Sequence, residues 1–322
     1  MGFSRRELLA AGGAGLLLPG WAGRLWGQAQ ASTSIVTPEN AVGGFRFVHM
    51  TDWHIQPEKG GVEGVVKALH RVQELEIKPD FILTGGDLVF DSFKASRDRS
   101  LQLFDLFNKT IKDECTLKVY PCIGNHDVYA WGDPTQAHDP LFGKMMAKEK
   151  FELEKTYYAF NHKGIRFYVL DSIEPRDDNK YRGKIHGEQL EWFKADLEAK
   201  PLMQPAVVVT HIPIFTVTVF NESTYKNSSF EMQNGAICED TIMLTSLLEK
   251  HNVKLALSGH IHLRDNIQMR GVQYINGGAV CGSWWKGPHH GVQEGFGVVD
   301  VAADGTMKYE YVDYGWEAVE EG

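Results

Sequence analysis

Cysteine is scarce in this chain. Its 322 residues contain four, at Cys115, Cys122, Cys238 and Cys281, and no two of them form a C-x-x-C pair. The spacing argues against a zinc knuckle and leaves the even count open to a disulfide or to buried free thiols. Positive charge is also in deficit, with 33 Lys and Arg against 42 Asp and Glu and a formal net charge of −9. Nucleic acid and anionic membrane surfaces, which hold proteins through basic patches, are therefore disfavoured as main partners. Long hydrophobic runs are missing as well. The leading apolar stretch, Leu8 to Leu18, is short and glycine-rich. A bilayer-spanning helix takes about 20 apolar residues, so no stable membrane span is expected. No fixed-period repeat and no low-complexity tract occurs. What remains is a chain 43% hydrophobic and 23% charged, enough for one large domain with an ordinary core.

Residues 1–31 read as an export signal, with Arg5 and Arg6, the short apolar stretch, and an Ala-x-Ala site at Ala29 to Ala31. The arrangement Ser4-Arg5-Arg6-Glu7-Leu8-Leu9 resembles a twin-arginine leader. That resemblance implies the twin-arginine export machinery as a partner and a periplasmic or secreted address. It also hints at a cofactor, because such passengers fold, and often load metals, before they cross. Removal of this segment, with three arginines and one glutamate, takes the net charge to −11. A linker covers 32–44, and 45–322 reads as a single catalytic domain.

Within that domain short apolar runs alternate with longer amphipathic ones. "FRFVHM" precedes a helical spacing of Val62, Val65, Val66, Leu69, Val72 and Leu75, and "DFILTGGD" follows. Further helices are predicted over Phe93 to Lys112, from His186 to Lys200 and from Asp240 to Lys250. Further strands are predicted at "LKVYPCIGN", "IRFYVLDS" and the β-branched "AVVVTHIPI". Two irregular excursions, about Asp127 to Thr156 and Phe215 to Cys238, leave the core, and the final third turns antiparallel. The class is α/β.

Polar groups recur at one kind of place, the carboxyl end of an apolar strand. Asp52 and His54 follow "FRFVHM", Gly85-Gly86-Asp87 follows "FILT", and Gly124-Asn125-His126-Asp127 follows "VYPCI". His211 follows "VVVT", and Gly259-His260-Ile261-His262 follows "LALS". In an open α/β sheet these ends share the edge where ligands bind. On an extended chain Asp52 and His54 point to one side and can grip one ion, while His260 and His262, about 6 to 7 Å apart along a strand, can straddle two. Oxygen and nitrogen donors without thiolate suit Mn, Fe, Ni or Zn rather than calcium. Each piece alone is what a turn or a cap supplies; the ordered set is not.

The set, over residues 45 to 265, resembles the calcineurin-like metallophosphoesterase superfamily. The resemblance implies a four-layer α/β/β/α sandwich with two mixed sheets, two divalent ions, and phosphoester hydrolysis by a hydroxide held between them. It places Asp52, His54 and His262 on one ion and Asn125, His211 and His260 on the other, with Asp87 bridging both. His126 would face the substrate and assist the leaving group. One position departs from the pattern. Many relatives carry an aspartate three residues after the bridging one, to orient that histidine; here Phe90 stands there, with Asp91 next, so Asp91 and Asp127 are the candidate orienters. Purple acid phosphatases have a metal-binding tyrosine at that position, and with Phe90 no purple charge-transfer band is expected. The late loop "GGAVCGSWWKGPHHG" offers Trp284 and Trp285 as a wall for an apolar or ring-bearing group. The expected substrate is a small-molecule or lipid-derived phosphodiester ahead of a monoester. A phosphate-scavenging monoesterase and a catalytically silent scaffold are the alternatives.

Overall fold

A computed structural model describes residues 44–220 and 235–319, and between them the backbone of two short strands. The segment read as an export signal and nearly all of the predicted linker, 1–43, lie outside the described residues, as do parts of the second excursion. In chain order the elements are β1 (Phe45–Met50), α1 (Gly61–Gln73), β2 (Phe81–Thr84), α2 (Arg97–Glu114), β3 (Lys118–Tyr120), α3 (Met145–Lys150), β4 (Tyr158–His162) and β5 (Ile165–Val169). Then come β6 (Ile173–Pro175), β7 (Tyr181–Gly183), α4 (Gly187–Ala199), β8 (Ala206–Val209), β9 (Thr224–Lys226), β10 (Ser229–Glu231) and α5 (Thr241–Lys250). The chain finishes with β11 (Val253–Ser258), β12 (Arg264–Met269), β13 (Val272–Gly277), β14 (Gly295–Val301) and β15 (Met307–Asp313).

Two mixed sheets carry the architecture. One has the order β15-β14-β1-β2-β3 and the other β12-β13-β11-β8-β5-β4. Side chains alternate across each strand, so Phe47, Phe81, Phe167, Val207, Val209, Leu255 and Leu257 meet between the sheets. The intervening residues Val48, Met50 and Ile82 turn outward to α1 and α2. Helix α1 meets them with Val65, Ala68, Leu69 and Val72, an i, i+3, i+4, i+7 stripe that is fully buried. Ser96 caps α2 by accepting from Arg99 N–H. On the second sheet's outer face Tyr168, Val208 and Tyr274 pack with Phe193 and Leu197 of α4 and Leu244 and Leu248 of α5. The layers are therefore α/β/β/α.

The long strand read from "LKVYPCIGN" is shorter in the fold, ending at Tyr120. Pro121 has no N–H to give to the ladder, and the chain beyond it is free to turn toward the site. The first excursion is not structureless: α3 buries Met146 and Ala147 against the α1/α2 layer. All four cysteines are free thiols. No helix among the described residues is long and apolar enough to cross a membrane.

His49 of β1 is fully buried, and neither ring nitrogen has a hydrogen-bond partner. Burial pushes it down to about 4, against a weaker pull from Asp52. Between the unfolded pKa near 6.5 and that value the unfolded chain binds the extra proton, so stability falls as pH drops through this window. From pH 7 to pH 5 the wild type is expected to lose about 2 kcal/mol more than His49→Gln in denaturant titrations. Equal losses in the two proteins would show that His49 is not the titrating group.

Candidate metal centre

The parallel strands β1, β2 and β3 of one sheet and β8 and β11 of the other release their chains at a common edge. Asp52 and His54 follow β1, Asp87 follows β2, and Asn125 and His126 sit in a 3-10 turn after β3. His211 follows β8, and His260 and His262 follow β11. The extended geometry expected for the Asp-x-His and His-x-His pairs does not hold. Asp52, His54, Asp87, His260 and His262 have φ of 55, 42, 52, 75 and 57°, all in the left-handed region. Such residues cost energy, and their clustering is a mark of functional sites. The twist curls each segment so that its side chains converge, where an extended chain would have sent them along the edge.

Hydrogen bonds across the segments hold this backbone. Asp52 N–H donates to Gly86 O at 2.9 Å, and Trp53 and His54 N–H both donate to Asp87 O at 2.9 and 3.0 Å. His260 N–H reaches both oxygens of Asp52 at 3.0 Å. Two glycines make room. A Cβ on Gly124 would lie 2.1 Å from Asp87 Oδ1, and one on Gly259 would lie 1.9 Å from Thr51 Oγ1 and 2.3 Å from Asp52 Oδ2.

The donors form two groups about one carboxylate. In the first, His262 Nε2 lies 3.2 Å from both His54 Nε2 and Asp52 Oδ1. In the second, His211 Nε2 lies 3.1 Å from Asn125 Oδ1 and from His260 Nδ1. Asp87 Oδ2 reaches both, 3.6 Å from His54 Nε2 and 3.0 Å from His211 Nε2. Three imidazoles are locked by donating Nδ1–H to backbone carbonyls: His54 to Phe90 at 3.0 Å, His211 to Gly85 at 2.8 Å and His262 to Gly282 at 2.6 Å. A carbonyl can only accept, so each ring keeps its Nδ1 proton and turns Nε2 inward, the second-layer support that metal-binding histidines use.

The electrostatics fit divalent ions. Burial and the adjoining His126 push His54 down to about 3, and burial with His211 does the same to His260. Both therefore offer neutral lone pairs, the form a metal takes. Burial also opposes charge on His211, yet the Asp87 carboxylate overrides it and raises the group to about 9. Positive charge is favoured at that point, and a bound ion would supply it in place of the proton. Donor atoms of Asp87, His211 and His260 all lie within 4.8 Å of one another, as do those of His54, Asp87 and His126, and this is the compactness a metal requires.

Of the two candidate orienters, the fold selects one. His126 Nδ1 lies 3.3 Å from Asp91 Oδ1, within ion-pair range. Burial opposes the imidazolium, but Asp87 and Asp91 together hold His126 above its ordinary pKa. Asp127 does not orient it. Its carboxylate accepts from Leu88, Val89 and Gly124 N–H at 2.9, 3.0 and 2.8 Å, tying the β3 turn to the Asp87 loop.

The two tryptophans separate. Trp284 is exposed, with its ring 4.6 Å from that of His262 and 6.0 Å from that of His54. Trp285 cannot bind substrate: it is buried, donates from Nε1 to His54 O at 2.9 Å, and fills space beside Gly64 that a Cβ would enter at 2.1 Å. A tryptophan pair in a turn points its two rings to opposite sides, and here both residues have positive φ. Trp285→Ala is expected to cost about 3 to 5 kcal/mol in chemical denaturation. Trp284→Ala should leave stability within about 0.5 kcal/mol, as surface changes do, and similar losses for both would contradict the division.

Sequence reasoning missed three things. The backbone carbonyls of Gly85, Phe90 and Gly282 carry no residue signal. Cys281, left open between a disulfide and a buried free thiol, lies with Sγ 3.9 Å from His262 Nδ1. A cavity of about 840 Å³ opens on Asn125 and His126, walled by the β6–β7 turn, which had no motif to mark it.

Two groups of buried nitrogen and oxygen donors sharing one carboxylate, at the joint edge of two face-to-face sheets, define a metal-dependent hydrolase. Residues 45–264 match the family model described as calcineurin-like phosphoesterase, and the chain belongs to that family. Its chemistry is metal-dependent hydrolysis of phosphoesters. In fold the chain is similar to a dimetal phosphatase from Danio rerio, at TM-score 0.58 and 15% identity over 87% of this chain and 98% of that one. It is also similar to GAP50, the anchor in the inner membrane complex of Plasmodium, at TM-score 0.53 and 16% identity over 84% and 85%. At these identities the likeness is one of fold alone. A search of curated proteins gave no match.

Proposed function

We propose that the enzyme hydrolyses phosphodiesters of small-molecule or lipid-derived alcohols outside the cytoplasm. The observation that carries the diester reading is the presence of an organic-facing wall on each of two flanks. The large cavity flanks Asn125 and His126, while the Trp284 ring, which does not line it, covers His262. A diester has one organic group for each flank; a monoester, the substrate of a phosphate scavenger, has one only. The export address rests on Arg5, Arg6 and Ala29 to Ala31. Recovery of protein beginning near Ser32 from a periplasmic fraction checks it.

Asp52, His54 and His262 would hold one divalent ion, and Asn125, His211 and His260 the other, with Asp87 shared. When bound, Mn, Fe, Zn or Ni ions at these positions supply Lewis acidity toward the phosphoryl oxygens and activate the attacking water. His126 keeps Nδ1 toward Asp91, which leaves Nε2 as the nitrogen available to the substrate. The Asp91 carboxylate beside it favours the protonated imidazole, which can hand its Nε2 proton to the departing oxygen. Trp284 excludes water from the His262 flank.

The test is hydrolysis of bis(p-nitrophenyl) phosphate against p-nitrophenyl phosphate by manganese-reconstituted enzyme, with and without chelator. The diester is expected to have the higher kcat/KM, and chelator should abolish turnover of both. Preference for the monoester would overturn the diester reading.

A further inference from the structure

The cavity beside His126 carries a charge opposite to that of the molecule. Its wall includes Lys94, Arg176 and Lys180, in a chain whose net charge is −9. The carboxylates facing them are Asp178 and Asp91, and Asp91 is engaged with His126. The cations are arranged by the fold. The turn between β6 and β7 is closed by Arg176 N–H donating to Lys180 O at 2.9 Å, with Asn179 at φ 57°. Inside it Asp178 sits 3.2 Å from the Arg176 guanidinium and 3.9 Å from the Lys180 ammonium, so one acid spaces two bases. Lys94 comes from the other wall and has no hydrogen bond or ion pair among the described residues. A Cβ on Gly132 would lie 2.6 Å from Lys94 Cγ, so the bare glycine lets the lysine stem lie along the backbone. Phe93 and Tyr181, in edge contact at 5.7 Å, form the apolar part of the wall, and Tyr181 in turn meets the His260 ring at 5.8 Å.

His126 is the group that meets the leaving oxygen, so what fills this cavity in a productive complex is the alcohol that departs. We propose that this alcohol carries a second anionic group, a carboxylate or a phosphate, bound by Lys94, Arg176 and Lys180, with its carbon frame against Phe93 and Tyr181. The assignment rests on the phosphoester reading above and adds the substrate class to it. An unpaired lysine in a partly enclosed, cation-rich wall gives selectivity for an anion by difference: a neutral alcohol leaves the cationic wall unmatched.

Aryl phosphoesters with 4-carboxyphenyl, 4-(phosphonomethyl)phenyl and neutral 4-carbamoylphenyl leaving groups test it on the manganese-loaded enzyme. The anionic esters should be preferred about ten-fold in kcat/KM, since each partly exposed charge pair contributes a factor of a few. The preference should fall toward unity in Lys94→Met/Lys180→Met, and the carboxylate and phosphonate arms decide which anion is meant. Equal turnover of charged and neutral esters, or a preference that survives the double variant, overturns the proposal. Equilibrium binding of the product phenols, 4-hydroxybenzoate against 4-hydroxybenzamide, makes the same comparison without turnover. Tighter binding of the anion, lost in the variant, supports the site even if the ester reading fails; equal binding overturns it.

Discussion

Asp87→Asn is expected to remove the second metal ion and lower kcat/KM by about a thousand-fold, since the ions supply several kcal/mol of transition-state stabilisation. The reason is positional. Asp87 Oδ2 lies within 3.6 Å of both His54 Nε2 and His211 Nε2, and its other oxygen is held by His126 N–H at 2.8 Å. An amide keeps the volume but loses the charge, and its nitrogen would point a donor at one set of ligands. Metal content by mass spectrometry should fall from two ions toward one or none, while the fold persists on the cores of the two sheets. Two ions with full activity in the variant would mean that the carboxylate is a structural hydrogen-bond acceptor only.

His126→Ala should divide substrates by leaving group. For esters of ordinary alcohols the loss should be about 10² to 10⁴-fold, the usual worth of a general acid. For p-nitrophenyl esters, whose phenolate leaves without a proton, it should be far smaller. Metal content should not change, because alanine keeps the backbone N–H that holds Asp87, and His54 stays fixed by Phe90 O. Asp91→Asn tests the positioning residue behind it. With the ion pair at 3.3 Å gone, the same leaving-group dependence should appear in weaker form, and imidazole added in solution should restore part of the alanine variant's activity but none of the asparagine variant's. Equal losses across leaving groups in His126→Ala would assign the residue to phosphate binding instead of proton transfer.

Each residue named at a strand end arrives at the common edge, and the reason is local. A β-branched or aromatic run buried on both faces ends where its polar successors begin, and parallel strands place those ends together. The division of labour was less legible. Asp91 and Asp127 are indistinguishable as letters. Only the β3 turn, which gives Asp127 three backbone donors and turns His126 toward Asp91, separates them. Trp284 and Trp285 are adjacent and alike, yet one lies over the site and the other is fixed in the core by Gly64 and the His54 carbonyl.

The sequence by itself determined the α/β class, through its alternating strands and the apolar stripe of α1, and the chemical types of the donors; the four layers followed only from the family resemblance. Periodicity and strand-end position are properties of a single segment, so one segment suffices to read them. The tertiary structure alone decided the left-handed backbone of Asp52, His54, Asp87, His260 and His262, the carbonyls that fix the imidazoles, and the cationic wall beside His126. These depend on where separate segments meet in space. A residue's φ at such a meeting is set by bonds to partners up to about two hundred positions away, as between His260 and Asp52.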